Sequence, residues 1–222
     1  MARAQFLRKP STPSRFPSWS LDHALDTLLT RRFENATATP RDLFLKTLFL
    51  VALATGNRAS EIAACVRNGS RLLPTVGTLA VRASFLFKNQ SLSRTPPPIS
   101  FPGLGPDNQL CPVAALSAYL DRRPATDNSV FVHPSTGASL TASRLSYWLA
   151  QAIRIFAKPE HPHGGHDVRK LSHSAAWARG LSMTTILQQG FWSSPNVFIN
   201  NYLTTLVVPA RTFVAGCTIV RP

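Results

Sequence analysis

Two short segments of the sequence combine residue types suited to phosphate chemistry. In ATGNRASEI, Arg58 follows a glycine turn and Glu61 comes three residues later, on the same face of a helix beginning there. In HPHGGHDVRKLSHS, His166 and Arg169 are three residues apart where a glycine-rich loop enters a helix, so both can point into one site. Taken alone, Arg58 and Glu61 are typical of a surface ion pair. Across the whole chain, however, arginine supplies most of the positive charge, and its rigid fork of donors grips phosphate in two places, so this bias suits phosphate recognition.

A third segment, QQGFWSSPNVFINNYL, offers a nucleophile. A glycine turn presents Trp192, and a short helix presents Tyr202 ten residues later, after two asparagines. Trp192 by itself is typical of a core residue. The other tyrosines, Tyr119 and Tyr147, fall on apolar faces of amphipathic helices and are predicted to be structural. Tyr202 is therefore the tyrosine best placed for chemistry.

Histidines and cysteines do not predict a metal site. His161, His163 and His166 share one loop, but no matched set of cysteines or carboxylates accompanies them. The three cysteines are far apart and outside any CxxC pattern, which predicts neither a zinc site nor a disulfide framework and fits a reducing compartment: Cys65, Cys111 and Cys217.

Composition indicates one main domain with a polyanionic partner. The 222 residues are 44% hydrophobic, enough for one sizeable core. Lysine and arginine number 24 against 10 acidic residues, a formal charge of +14, although a basic protein that binds nothing would have the same balance. No apolar run reaches the roughly 18 residues of a membrane span. No secretory signal is visible in residues 1–17, so we expect a soluble intracellular protein.

Apolar spacing and capping residues predict a mainly α fold with a small antiparallel β hairpin or sheet. Two β-like runs, TLAVRASFLF and PPPISF, flank the polar segment KNQSLSRT. The predicted helices are Leu21–Leu29, Pro40 to Gly56, a helix from about Asn57, CPVAALSAYLDRR, a helix after Thr141, DVRKLSHSAAWARG, a helix after Ser182, and Asn196–Thr204. The helix that ends at Gly56 is so apolar that we expect it to be buried almost all round.

Taken together and in this order, the three segments resemble the conserved boxes of tyrosine recombinases and integrases. ATGNRASEI looks like the first arginine box, HDVRK like the His-x-x-Arg box, and GFWSSPNVFINNYL like the box that ends in the nucleophile. LKTLFLVALATGNRASEI and LCPVAALSAYLDRR are most similar to recombinases of eukaryotic mobile elements of the DIRS-like and Crypton types. The resemblance runs from about Trp19 to Tyr202 and implies the tyrosine recombinase catalytic fold.

The resemblance assigns roles to individual residues. Arg58 and Arg169 match the two phosphate-clasping arginines, and Glu61 matches the acid that supports the first of them. His166 matches the box histidine, Trp192 the position held by His or Trp, and Tyr202 the nucleophile. Lys88 matches the lysine of the β hairpin, which would protonate the leaving oxygen. The alternative is a solvated turn lysine, with Arg82 or Arg94 doing part of that work. Additional DNA contacts are expected at Arg82, Arg94 and Lys170.

The sequence departs from the family pattern in two places. Lys170 stands where many members have histidine, outside the principal set. Trp192 and Tyr202 are ten residues apart rather than the commoner nine. Because one extra helical residue turns a side chain by about 100°, this spacing leaves the pose of Tyr202 open.

These features predict an enzyme that cleaves and rejoins double-stranded DNA through a 3′-phosphotyrosine, without metal, ATP or other cofactor. The resemblance further implies a homotetramer on DNA, in the nucleus. We expect a basic arm and remnant helix in residues 1–35, with the family's core-binding domain largely absent. The catalytic domain spans 36–205 and a tail 206–222, in which Leu206 to Val214 either dock on a neighbour or form an internal strand. The alternatives are a transposon-derived DNA-binding module without recombination activity and a type IB topoisomerase.

Overall fold

The computed structural model describes residues 19–70, 72–82, 97–124, 127–192, 194–206 and 210–221. Within these ranges the fold is mainly helical, with two small antiparallel sheets. The helices are α1 Leu21–Leu28, α2 Pro40–Thr55, α3 Ala59–Ala63, α4 Pro112–Arg122, α5 Ala142–Ala157, α6 Asp167–Ala178, α7 Met183–Gly190 and α8 Pro195–Asn201. The strands are β1 Cys65–Val66, β2 Val76–Val81, β3 Ile99–Pro102, β4 Phe213–Ala215 and β5 Thr218–Val220. In the part of the chain that the structure describes, no helix is long and apolar enough to cross a membrane.

Helix α2 is the central element of the core. Thr39 caps its start by accepting a hydrogen bond from the Asp42 amide, and Gly56 ends it in the left-handed conformation. Every residue from 42 to 55 is buried, because α4, α5, α6 and β4 pack around the helix. Each leucine or phenylalanine buried this way contributes about 1.5–3 kcal/mol relative to exposure. The prediction of a helix buried all round is confirmed.

Three of the other helices begin directly after serine or threonine residues that cap them. The side chains of Ser20, Thr141 and Ser182 each accept a hydrogen bond from a backbone amide in the first turn of α1, α5 and α7. Tyr119 on α4 is buried, as expected. Tyr147 on α5 is 54% exposed, so the prediction that it belongs to the apolar face was wrong.

The helix predicted from Asn57 is shorter than expected. α3 ends after five residues, and Cys65–Val66 turn into β1, which pairs with Val81 and Ala80 of β2. β2 pairs in turn with β3, so the predicted small antiparallel sheet is confirmed, with β1 as a third strand. Residues 83–87 of the first predicted run lie outside the described residues. Partners distant in sequence fix β1, since the amide of Val130 also donates to Cys65 O. The segment KNQSLSRT, with Lys88 and Arg94, lies outside the described residues.

The C-terminal strands complete the core of their own chain. β4 and β5 form a hairpin whose Phe213 and Val214 are buried in the same cluster as α2. At its turn the Gly216 amide donates to Leu53 O at 3.2 Å and to Ser172 Oγ at 2.8 Å. Of the two possibilities left open for this part of the tail, the structure has the internal strand for Phe213 and Val214.

A buried lysine joins α2 to the 3-10 turn Arg31–Phe33. Lys46 is fully buried, and its Nζ donates to Phe33 O at 2.7 Å. Loss of hydration lowers the pKa of Lys46 from 10.5 to about 8, although the nearby carboxylate of Glu34 opposes the change. The fold is therefore less stable with Lys46 charged, as it is at neutral pH, than it would be with Lys46 deprotonated.

Replacing Lys46 with Met should change how stability depends on pH. Between pH 8 and 10.5 the unfolded wild-type chain holds this proton while the folded chain releases it. The wild type should therefore gain stability relative to Lys46→Met over that interval, by roughly 1–3 kcal/mol. Urea unfolding of both proteins at pH 7, 8, 9 and 10 measures the difference. Other alkaline titrations are common to both proteins, so a constant difference would contradict the prediction.

Candidate active site

Arg58 and Glu61 form a buried ion pair at the start of α3. The Arg58 amide donates to Glu61 Oε2 at 2.8 Å, and Arg58 Nη1 donates to Glu61 Oε1 at 2.7 Å. The Glu61 side chain is 1% exposed and that of Arg58 is 18% exposed. This is not an ordinary surface pair, because the carboxylate is almost inaccessible to water and accepts a hydrogen bond from the Arg58 guanidinium.

Arg169 spans two turns that are far apart in sequence. Its Nη1 donates to Gly56 O at 2.6 Å, its Nη2 donates to Gly190 O, and Nη1 lies 3.9 Å from Glu61 Oε2. The side chain is only 1% exposed. Burial and the charge of Arg58 lower the pKa of Arg169, while the charge of Glu61 raises it. At neutral pH the guanidinium remains charged and holds together the ends of α2 and α7.

His166 and Tyr202 meet above this buried arginine. His166 precedes α6, and its Nε2 lies 3.1 Å from the Tyr202 hydroxyl. Partial loss of hydration, together with the positive charges of Arg169 and Lys170, lowers the pKa of His166 from 6.5 to about 4. The ring is therefore neutral at pH 7. With the ring proton on Nδ1, Nε2 can accept a hydrogen bond from the phenol.

The end of α8 decides the pose of Tyr202. The helix predicted to reach Thr204 stops at Asn201, and Tyr202 is its C-cap. The next backbone groups leave the helical pattern, because the Thr204 amide donates to Ser174 Oγ at 2.9 Å and Ser174 Oγ donates to Tyr202 O at 3.3 Å. These hydrogen bonds to α6 replace the bonds that would extend α8 by a further turn. They direct the phenol of Tyr202 towards His166.

Trp192 is both a core residue and part of the site. With Ile186 and Phe198 it forms a small second core under α7 and α8. Its ring lies 4.9 Å from the ring of Tyr202, and the Arg169 guanidinium carbon lies 4.5 Å from the Trp192 ring centre. The two interpretations of Trp192 are thus compatible, since the same ring fills a core and covers the guanidinium.

The structure brings together six of the residues singled out in the sequence: Arg58, Glu61, His166, Arg169, Trp192 and Tyr202. Lys170 is partly exposed, 3.6 Å from Asp167 Oδ1. Arg82 follows β2, and its guanidinium donates to Ser129 Oγ at 3.0 Å rather than to a member of this cluster. Lys88 and Arg94 lie outside the described residues, so their positions remain predictions.

Sequence reasoning missed His173. This fully buried residue lies one helical turn after Arg169 on α6, and its ring centre is 4.6 Å from that of Trp192. The available signal was its spacing, because residues four apart share a helix face. Metal binding does not account for it, since no group of three or more His, Cys, Asp or Glu residues among those described could hold an ion.

No protein-family model matches the chain, and no curated protein matches its sequence. Its structure, however, is similar to solved structures of recombinases. For XerA recombinase the TM-score is 0.58 at 17% identity, covering 90% of this chain and 62% of that one. For XerH site-specific recombinase bound to its difH substrate the TM-score is 0.57 at 12% identity, covering 82% of this chain and 48% of that one. For the Tn1549 transposon integrase in complex with transposon right-end DNA the TM-score is 0.55 at 13% identity, covering 90% of this chain and 65% of that one.

The chain therefore has the tyrosine recombinase catalytic fold, as the resemblance in sequence implied. It spans about half to two thirds of the length of these three proteins. At such low identity the likeness concerns the fold alone, and the chemistry has to be argued from the site itself.

Gly56 should tolerate a methyl group far less well than another glycine of similar conformation. A Cβ on Gly56 (φ +65°) would lie 2.0 Å from His173 Cε1, whereas one on Gly180 (φ +84°) would meet nothing within 4 Å. Gly180→Ala should cost about 1–2 kcal/mol for its backbone conformation. Gly56→Ala should cost more than about 3 kcal/mol, because the contact with the ring adds to the same conformational term. Denaturant unfolding of both variants tests this, and equal losses would contradict it.

The titration of His166 can be measured by NMR in the free protein. We expect a midpoint well below 6.5, because the ring is partly dehydrated and faces positive charges. Lys170→Gln should raise the pKa of His166, since it removes one of those charges. Lys158→Gln, which removes the same charge from the end of α5, serves as the control and should leave it unchanged. A wild-type midpoint at or above 6.5 would rule out this description of the site.

Proposed function

We propose that this chain is the catalytic domain of a DNA recombinase or integrase that cleaves and rejoins DNA through a 3′-phosphotyrosine. The observation that carries the proposal is the hydrogen bond of 3.1 Å between Tyr202 and His166 directly over the Arg169 guanidinium. A nucleophile within reach of a neutral base, beside a charge that can stabilise an anion, is the arrangement that covalent phosphoryl transfer needs.

The reaction would proceed by one exchange of bonds at phosphorus. The Tyr202 oxygen forms a bond to the scissile phosphorus, its proton passes to His166, and the bond to the 5′ oxygen breaks. The 5′ oxygen leaves as a hydroxyl after taking a proton, a role that we assign to Lys88 on the sequence resemblance. Because the phosphotyrosine retains the energy of the phosphodiester, a second 5′ hydroxyl can reverse the steps without ATP.

Two arginines of different accessibility would stabilise the transition state. Arg58 is 18% exposed and can meet an approaching phosphate, whereas Arg169 is 1% exposed beneath the rings of Trp192 and Tyr202. We infer that the phosphate contacts Arg58 first and reaches the field of Arg169 as the Tyr202 ring moves towards the phosphorus. A donor of this kind is worth about 10²–10³ in rate in oxyanion sites.

Site chemistry and charge also support DNA as the substrate. Two buried N–H groups, Arg169 Nε and Trp192 Nε1, have no partner among the described residues, and phosphate oxygens would supply acceptors. The net charge of +14 favours a polyanion. The XerH and Tn1549 structures named above contain DNA. We extend the proposal, on the sequence resemblance, to a mobile-element recombinase acting in the nucleus as a homotetramer on DNA, with Arg82, Arg94 and Lys170 as additional contacts.

Covalent capture tests the proposal directly. The purified protein is incubated with a pool of nicked, randomised duplexes, and adducts that survive detergent are collected and sequenced. We expect adducts with the wild type and none with Tyr202→Phe, because only the Tyr202 hydroxyl can form the ester. Tyr147→Phe is the matched control: this tyrosine is 54% exposed, and its variant should form adducts like the wild type.

The same assay separates the alternatives. DNA binding that weakens with salt, without adducts in any variant, would refute the enzymatic proposal and favour a DNA-binding module. If the protein forms adducts and relaxes supercoiled plasmid but does not join two DNA sites, the result would favour a topoisomerase. Adducts that persist in Tyr202→Phe would assign the nucleophile to another residue.

A further inference from the structure

His173 and Trp192 fill the space between the two turns that Arg169 joins. A Cβ on Gly56 would lie 2.0 Å from His173 Cε1, and one on Gly190 would lie 2.2 Å from Trp192 Cε3. Each of these glycines therefore packs its α-carbon against one ring of the pair. The rings contact each other edge to face, with centres 4.6 Å apart.

Arg169 bridges the same two turns by hydrogen bonds. Its guanidinium donates to Gly56 O and to Gly190 O. Each turn therefore makes two contacts here: its carbonyl accepts a hydrogen bond from Arg169, and its glycine packs against an aromatic ring. Two aromatic rings in contact therefore lie between the turns that the guanidinium joins. Removing one ring would allow the turns to approach and the guanidinium to shift.

His173 acts here as a neutral ring. Its Nδ1 lies 3.1 Å from Arg169 O, which can only accept, so Nδ1 carries the proton. Burial and the charge of Arg169 lower the pKa of His173 to about 3, so His173 adds no positive charge to those of Arg58 and Arg169 at neutral pH. The side chain lies outside the proposed proton path between Tyr202 and His166.

We propose that His173 is a positioning residue for Arg169, whose ring, wedged between Gly56 and Trp192, holds the two carbonyl-bearing turns at the separation that the guanidinium spans. The inference rests on the proposed function for its catalytic consequence. Its structural content, the immobilisation of the Arg169 guanidinium, does not depend on DNA and is measured separately.

Three substitutions separate ring bulk from hydrogen bonding and from general stability. His173→Ala removes the ring, His173→Phe keeps the bulk without the donor, and His173→Asn keeps a donor without the bulk. Leu145→Ala removes a fully buried side chain of α5 and is the control for lost stability. All four variants are compared with the wild type in thermal unfolding.

The first measurement is NMR of the arginine side chains in the free protein. A guanidinium held by two carbonyls rotates slowly and gives separate Nη resonances, which are assigned by their loss in Arg169→Lys. We expect these resonances in the wild type, Leu145→Ala and His173→Phe, and their loss in His173→Ala. Unchanged Arg169 resonances in His173→Ala would overturn the proposal, whether or not the chain cleaves DNA.

The second measurement uses a duplex recovered from the wild-type adducts. His173→Ala should slow adduct formation at saturating protein by about 10- to 100-fold, because displacement of a catalytic group by about 1 Å has an effect of this size. Affinity for the duplex should change by less than about threefold, and His173→Phe should restore the rate better than His173→Asn. The opposite order of rescue, or an equal slowing in Leu145→Ala, would overturn the proposal.

Discussion

The rest of the site depends on the contacts of one buried group, the guanidinium of Arg169. A buried charge costs several kcal/mol unless hydrogen bonds and an opposite charge compensate for it. Here Gly56 O and Gly190 O accept hydrogen bonds, and Glu61 lies within 3.9 Å. All three partners come from segments other than α6. The arginine is therefore satisfied only when the ends of α2 and α7 and the start of α3 have docked against α6, which couples formation of the site to formation of the fold.

One face of α6 organises the other functional side chains around that guanidinium. His166 precedes the helix and meets the Tyr202 hydroxyl, while Ser174 binds the backbone beyond Tyr202 and ends α8. The catalytic fold is kept at 12–17% identity to the three recombinases named above because a fold needs a pattern of buried volume rather than particular residues. The site is more demanding, since the distance between a charged group and its hydrogen-bond partner can vary by only a few tenths of an ångström.

The sequence predicted the helices well because their signals are local. Capping residues, apolar spacing and the glycine after α2 are all contained in short windows, and the boundaries of α1, α2 and α5 follow them closely. β1 was missed because its partners are distant in the chain: Cys65–Val66 pair with β2 and bind Val130. The exposed face of Tyr147 was also misjudged, since amphipathic spacing cannot tell which edge of an apolar stripe a neighbouring helix covers.

For the candidate site, the sequence by itself determined which side chains are available: two arginines, a histidine, a tryptophan and a tyrosine, in an order that resembles a known family. Only the tertiary structure decided how they meet. The pose of Tyr202 depends on where α8 ends, and the hydrogen bond that the Thr204 amide donates to Ser174 Oγ of α6 helps to end it. The burial of Arg169 and the place of His173 depend on Gly56 and Gly190, more than 130 residues apart, packing against the same helix. Local patterns carry no information about such distant contacts, because they form only when the core closes.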